Sequence, residues 1–417
     1  MPTAMPFRPF LAVLLTGALV LAGCLAPAAD ETAPTLNEAD TTPTLGKLMP
    51  YAPARALAEA AALVATSGGV VTVTGYPVVE RLPTASDALG RPRTFELELK
   101  PSPMLTNATW AEVDGVRVTM PAVAVYEGHV KGAADQLARL TVTDAWARGS
   151  VRVGDVTYLI RVGLDGNLPY VLPEEQAAKA PANGSWTWTS TAPAPGLFDP
   201  PGWQEHECLL LVPPHVTPML DLGRPTSNAL TARIVLDGDA EYMNQTGAHA
   251  FPLLVAMLNE VDAIYEHEVG IRFEIVGLHL NSDPAFYPDP LEEAPQAKMM
   301  EYWNARKDVD RDIVHLVTGQ RSNYAMANCI GGAGQPEIAY TFTPLNWERD
   351  YLVFHTQAYA HELGHIFSAH HHYGNHAEST LATIMIQGYT PGLRPVFGTL
   401  EKSVIRGWAE EYLGHDH

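Results

Sequence analysis

His361, Glu362, His365 and His371 place three imidazoles and a carboxylate within the run His-Glu-Leu-Gly-His-Ile-Phe-Ser-Ala-His-His. On a helix, His361 and His365 are four residues apart and share a face, so both can reach one metal ion. Glu362 projects from the neighbouring face, where it can take a proton from water held on that metal. Three neutral histidines leave a divalent metal its full charge and an open fourth position, which is the arrangement of a hydrolytic zinc site. The third ligand must come after the helix, where His370, His371 and His372 stand in a row. His371, six residues beyond His365, serves if the helix stops and the chain reverses. A His-Glu-x-x-His pentapeptide also arises by chance on solvated helical faces, so the reading leans on its neighbours. Thr383-Ile384-Met385 can turn tightly beneath a metal, and the apolar positions between Tyr351 and Ala360 can bury the back of the helix.

The extended motif followed by Met385 resembles the metzincin clan of zinc endopeptidases, and the surrounding text is most similar to its reprolysin (adamalysin-like) group. The resemblance implies that His361, His365 and His371 are the zinc ligands, Glu362 the general base and Met385 the methionine of the Met-turn. It favours His371 over its two neighbours, and it implies Zn2+ as cofactor and a protein or peptide as substrate. Peptide bonds would be hydrolysed by zinc-bound water activated by Glu362, without a covalent intermediate. This chain departs from the pattern at Ser368, where the family has a glycine that turns the backbone left-handed, at a cost of about 1 kcal/mol for another residue. His372 replaces the aspartate usual after the third histidine. Gln387, not Tyr389, occupies the place of an additional tyrosine ligand found in some metzincins. The rival zinc arrangement, with a glutamate ligand downstream, finds no supporting context at Glu378, Glu401 or Glu410.

The first residues carry Arg8 and an apolar run from Phe10 to Ala22, which reads as a secretion signal. Its end, Leu21-Ala22-Gly23-Cys24, has the form of a lipobox, so residues 1–23 are a lipoprotein signal peptide and Cys24 the lipidated residue. The chain is then an extracytoplasmic, cell-surface lipoprotein of a prokaryote, anchored to the membrane; plain secretion after a cut near Ala28 or Ala29, or an uncleaved anchor, is the alternative. Cys208 and Cys329 remain, an even number in an oxidising compartment, and one disulfide between them is the expectation. Cys208 could instead be a switch thiolate on the zinc, although its context matches no known switch. With 47 acidic residues against 26 basic, the formal charge of −21 argues against nucleic acid as a partner.

The elements that must position the motif read as a mixed α/β or α+β fold. Residues 24–45 are a tether, 46–176 a small β-rich domain and 177–230 a linker rich in Pro, Gly, Ser and Trp. Residues 231–417 form the metzincin-like catalytic domain: a twisted mixed sheet, an active-site helix, a Met-turn and a C-terminal helix. An Ala-rich helix is expected from Tyr51 to Ala65. Alternation places strands at Val70–Thr74, Thr94–Leu99, Ala122–Val130, Ala138–Val142, Gly149–Val153 and Thr157–Val162. Two phrases of this region, Val125–Val130 and Gly149–Gly154, are similar to reprolysin propeptides, which implies a domain that assists folding or covers the cleft; a permanent accessory domain is the alternative. Further on come a strand at Ala232–Asp237, an amphipathic helix at Phe251–Val269, a strand at Ile271–Leu280, a helix at Gln296–Lys307 and a strand at Asp312–Val317. Ile338 to Thr343 alternates like a strand; the resemblance implies that it is an edge strand which pairs with extended substrate, with ordinary sheet structure as the alternative, and Thr399–Leu413 reads as the closing helix.

A zinc endopeptidase on the cell surface is the function this pattern favours. A catalytically silent metzincin-scaffold binding or adhesion lipoprotein, and a zinc amidase acting on a cell-wall polymer, are the alternatives. The number of subunits is not encoded in anything recognisable.

Overall fold

The computed structural model describes residues 70–77, 93–162 except 155, 229–345 except 291, 292 and 323, 354–371, 383–385 and 396–413. The signal segment with Cys24, the helix expected at Tyr51–Ala65, residues 177–228 with Cys208, His372, and the segment Gly388–Pro395 lie outside these residues.

Six antiparallel strands, β1 (Val70–Pro77), β2 (Arg93–Pro101), β5 (Ala124–Val130), β6 (Ala133–Val142), β7 (Ala147–Val153) and β8 (Val156–Val162), close into a barrel in that order. Closure comes from the pairing of Tyr76 with Leu159. Alternation along β2 sends Phe95, Leu97 and Leu99 inward, where they meet Val71, Val73, Tyr126, Leu140, Val151 and Ile160. These are the strands that alternation in the sequence picks out.

Two strands between β2 and β5 leave the barrel. β3 (Leu105–Val113) and β4 (Val116–Val118) are joined by Asp114-Gly115, both at positive φ (52° and 77°), the two-residue turn whose twist suits a hairpin. This hairpin extends a seven-stranded sheet of order β12-β13-β11-β9-β10-β3-β4. The remaining members are β9 (Leu230–Gly238), β10 (Ile271–Leu280), β11 (Ile313–Thr318), β12 (Met326–Ala327) and β13 (Tyr340–Pro344). All neighbours from β13 to β3 run parallel, while β12 and β4 are antiparallel at the two ends.

Among the described residues the α-helices are α1 (Ala240–Thr246), α2 (Ala250–Val269), α3 (Gln296–Asn304), α4 (Phe354–Ile366) and α5 (Thr399–Tyr412). The apolar face of α2 is buried as its periodicity requires, through Leu254, Met257, Leu258, Val261, Ile264 and Tyr265. Its polar face is buried as well, at Asn259, Glu260 and Asp262, because the barrel covers it. The expected strand at Ile338–Thr343 begins later, at Tyr340, and is not the edge: Met326 and Ala327 of β12 pair outside it, opposite Phe342 and Thr341. A two-residue strand carries no alternation signal, which is why the sequence hides it.

Candidate active site

The helix α4 forms from an unbroken run of helix-compatible residues and carries His361, Glu362 and His365, all fully buried. It ends in a Schellman motif. Ser368 N–H donates to the His365 carbonyl at 2.8 Å and Ala369 N–H to the Gly364 carbonyl at 2.9 Å, with Ser368 at φ 71°. The left-handed turn that the sequence requires is therefore made, with serine in the place where a glycine would be unstrained. It reverses the chain and brings His371 back over the helix at 7% exposure.

The three histidines converge. His365 Nε2 lies 3.1 Å from His361 Nε2 and 3.1 Å from His371 Nε2. The opposite ring nitrogens are committed elsewhere: His361 Nδ1 donates to the Ile384 carbonyl at 2.7 Å and His365 Nδ1 to the Ala369 carbonyl at 2.8 Å. Each carbonyl can only accept, so it fixes the proton on Nδ1 and leaves the Nε2 lone pair facing inward. Tetrahedral zinc bound at about 2.0–2.1 Å separates its nitrogen ligands by about 3.3 Å, close to the observed spacing. The donor set and its geometry thus fit a zinc ion, and among the described residues this is the group that offers three convergent ligand atoms. His370 is exposed and outside it.

Three elements hold the cluster from below. Ile384 and Met385 form a turn, and Met385 is packed so closely beneath the helix that a Cβ on Gly364 would stand 2.4 Å from its Sδ. Thr383 Oγ1 donates to Glu401 Oε1 at 2.9 Å, and Glu401 Oε2 accepts from the Gly398 N–H at 2.6 Å, so one buried carboxylate ties the turn to the start of α5. Ile384 N–H donates to the Val396 carbonyl at 2.9 Å. On the other side, the loop through Cys329 and Gly331 supports the end of α4: Gly331 N–H donates to the His365 carbonyl at 2.8 Å and Ala333 N–H to the Ile366 carbonyl at 2.9 Å. Trp408 Nε1–H of α5 donates to the Ala333 carbonyl at 3.1 Å, anchoring that loop.

The back of α4 is more polar than its sequence suggests. His315 of β11 stacks on Tyr359 with ring centroids 3.4 Å apart, and its two nitrogens meet Thr341 Oγ1 at 2.6 Å and Thr343 Oγ1 at 2.9 Å. Thr343 Oγ1 also meets His355 Nε2 at 3.0 Å. Burial holds both histidines neutral; it lowers His315 well below the ordinary imidazole range, and together with the nearby Arg148 charge it pushes His355 down to about 3. These residues sit in strand and helix positions that read as core, and only the hydrogen-bonding capacity of a buried histidine and two threonines on alternate β13 positions hints at a network. Tyr265 of α2 donates to the Ala360 carbonyl at 2.9 Å and closes an aromatic group with Phe273, Phe367 and Phe397.

Residues 253–372, from within α2 to just past His371, match the family model described as Metallo-peptidase family M12B Reprolysin-like. Among solved structures, metalloproteinase-II from Bacteroides fragilis is similar at 12% identity and a TM-score of 0.40, over 85% of this chain and 95% of that one. A structure described as a chaperone–substrate complex is similar at 16% identity and a TM-score of 0.34, over 45% of this chain; this chain spans only 35% of that one. No curated protein matches the chain.

Proposed function

We propose, from the match of residues 253–372 to the reprolysin-like metallopeptidase family model, that this chain is a metzincin of that kind and a zinc-dependent endopeptidase acting on extended protein segments. The observation that carries the proposal is the convergence of three Nε2 lone pairs, each of the first two fixed by a carbonyl on its far nitrogen, beside the buried carboxylate of Glu362.

His361, His365 and His371 would hold the metal. Zinc, when bound there, supplies a Lewis acid that polarises a scissile carbonyl and acidifies water. Glu362 then does the proton work: its carboxylate, on the same helix as two ligands and out of bulk water, takes a proton from the attacking water and hands it to the departing amine. Substrate would lie extended along β12, the outermost strand on this side of the sheet among the described residues, and add a strand to it.

The reading includes two features of the wider chain. The first is a Cys208–Cys329 disulfide, supported by the oxidised state of Cys329. The second is a lipid anchor at Cys24, for which the lipobox is the support; a Cys24→Ser chain released into the medium would bear it out, and one still in the membrane fraction would oppose it.

The test of the activity is digestion of an unfolded protein in water enriched in heavy oxygen. Endopeptidase action puts the label into a new carboxyl group inside the substrate sequence, stops with a chelator and returns with added zinc. Unlabelled or absent products, from chain shown to hold zinc, would oppose it.

A further inference from the structure

Strand β3 is an inner member of the catalytic sheet, with β10 on one side and β4 on the other. Its side chains are fitted to that place. Trp110 fills the notch left by Gly277 so closely that a Cβ there would stand 2.2 Å from the indole. Thr109 Oγ1–H donates to the Ile275 carbonyl at 2.7 Å, and Glu112, 2% exposed, accepts from Arg306 at 3.0 Å. At the hairpin tip the Asp114 carboxylate accepts from Ser282 N–H at 2.7 Å and from its hydroxyl at 2.6 Å.

The barrel is joined to the same half by buried charge. Arg139 of β6 donates to Asp262 of α2 through Nε at 3.1 Å and through a terminal nitrogen at 2.9 Å. Arg148 of β7 grips Glu260 with two bonds of 3.0 and 2.9 Å, and Arg152 pairs with Glu268 at 2.8 Å. In return, Arg272 of β10 pairs with Glu127 of β5. Arg139 and Arg148 are 1% and 0% exposed, and Asp262 and Glu260 are 0% and 2% exposed. Each of these charges finds its partner in the other half, so the two faces are matched in charge and hydrogen-bonding geometry, and parting them would break every pair and strip β10 of its neighbour β3.

We infer that residues 70–77 and 93–162, barrel and hairpin together, are a permanent part of the catalytic unit. They stay bound to residues 229–413 even when the chain between is cut, in place of the detachable propeptide that the family likeness implies. The inference does not depend on the proposed activity.

The test places a site for a sequence-specific protease between Val162 and Cys208, so that no disulfide at Cys208 can tether the pieces. After cutting, the protein is run on size exclusion at about 0.1 M salt and at about 1 M, where screening shortens the reach of charge from about 10 to about 3 Å. Co-elution of both pieces at the position of the uncut chain under both conditions is expected, because strand pairing and buried pairs are little screened. Two separate peaks under either condition overturn the inference. A second measurement needs no cutting: amide exchange at Trp110–Val113 in the whole chain should be as slow as in the central strand β9, and exchange as fast as in an unfolded peptide would equally overturn it.

Discussion

Replacing Gly364 by alanine should destabilise the protein, against the ordinary preference of helices. In an exposed helix the change would stabilise by about 0.5–1 kcal/mol. Here the new Cβ would lie 2.4 Å from Met385 Sδ, 3.2 Å from its Cε and 3.5 Å from Phe397, so the sulfur would have to retreat about 1 Å to reach ordinary contact. Met385 is fully buried, and its turn is pinned on both sides by Thr383 to Glu401 and by Ile384 to Val396. Overpacking of that kind costs about 1–3 kcal/mol, which leaves a net loss of up to about 2.5 kcal/mol once the helix gain is set against it. Met385→Ala alone should cost about 2–5 kcal/mol by opening a cavity. In the double variant the new methyl group enters space the methionine has vacated, so the combined loss should fall short of the sum by about 1–2 kcal/mol. Denaturant unfolding of the four proteins in a chelator measures this without the metal. A Gly364→Ala chain more stable than the parent, or losses additive within about 0.5 kcal/mol, would refute the packing of Met385 beneath the helix.

Three further outcomes follow from the same geometry. Ser368→Gly should stabilise by up to about 1 kcal/mol by relieving a left-handed serine, whereas Ser368→Val should destabilise by more than about 1 kcal/mol; a glycine variant that melts lower would contradict the turn. Thr383→Val should weaken zinc binding about 10–100-fold through displacement of the Ile384 carbonyl that orients His361, with Thr383→Ser restoring it; chelator competition reads this, and an unchanged affinity for the valine variant would break the link. His355, neutral in the fold with its pKa near 3, takes up a proton on unfolding from about pH 6.5 downward. Its contribution is therefore complete above about pH 6.5 and is lost as pH falls toward 3, at up to about 1.4 kcal/mol per pH unit. A His355→Gln chain should lack that slope in denaturation measured between pH 7 and 4, and an identical slope would count against it.

Spacing in the sequence carries the ligand run because a helix is regular: residues four apart must share a face, and the third histidine needs only a stop and a reversal. Ser368 shows where spacing stops: the need for a left-handed residue there comes from the family likeness, and its Schellman bonding is visible only in the fold. The sheet was harder to read. The strands of the barrel and of the catalytic half show in their alternation, but β12 is too short to alternate, so the stretch Ile338–Thr343 reads as the edge. The hairpin β3–β4 went unread, although Asp114-Gly115 is the dipeptide that could have marked it, and nothing local says that it joins a sheet more than a hundred residues away. That assignment rests on Trp110 meeting Gly277, a long-range fit. The buried carboxylates of α2 were equally hidden, because their partners are arginines of another layer.

Metal analysis of the purified chain beside its Glu362→Ala variant, with cleavage of an unfolded protein measured on the same samples, separates the ligands from the base. One zinc per chain is expected in both, since Glu362 is not a ligand, with cleavage only in the parent. Absence of zinc from the parent would contradict the assignment of His361, His365 and His371, and a Glu362→Ala chain that keeps its activity would contradict the assignment of the base.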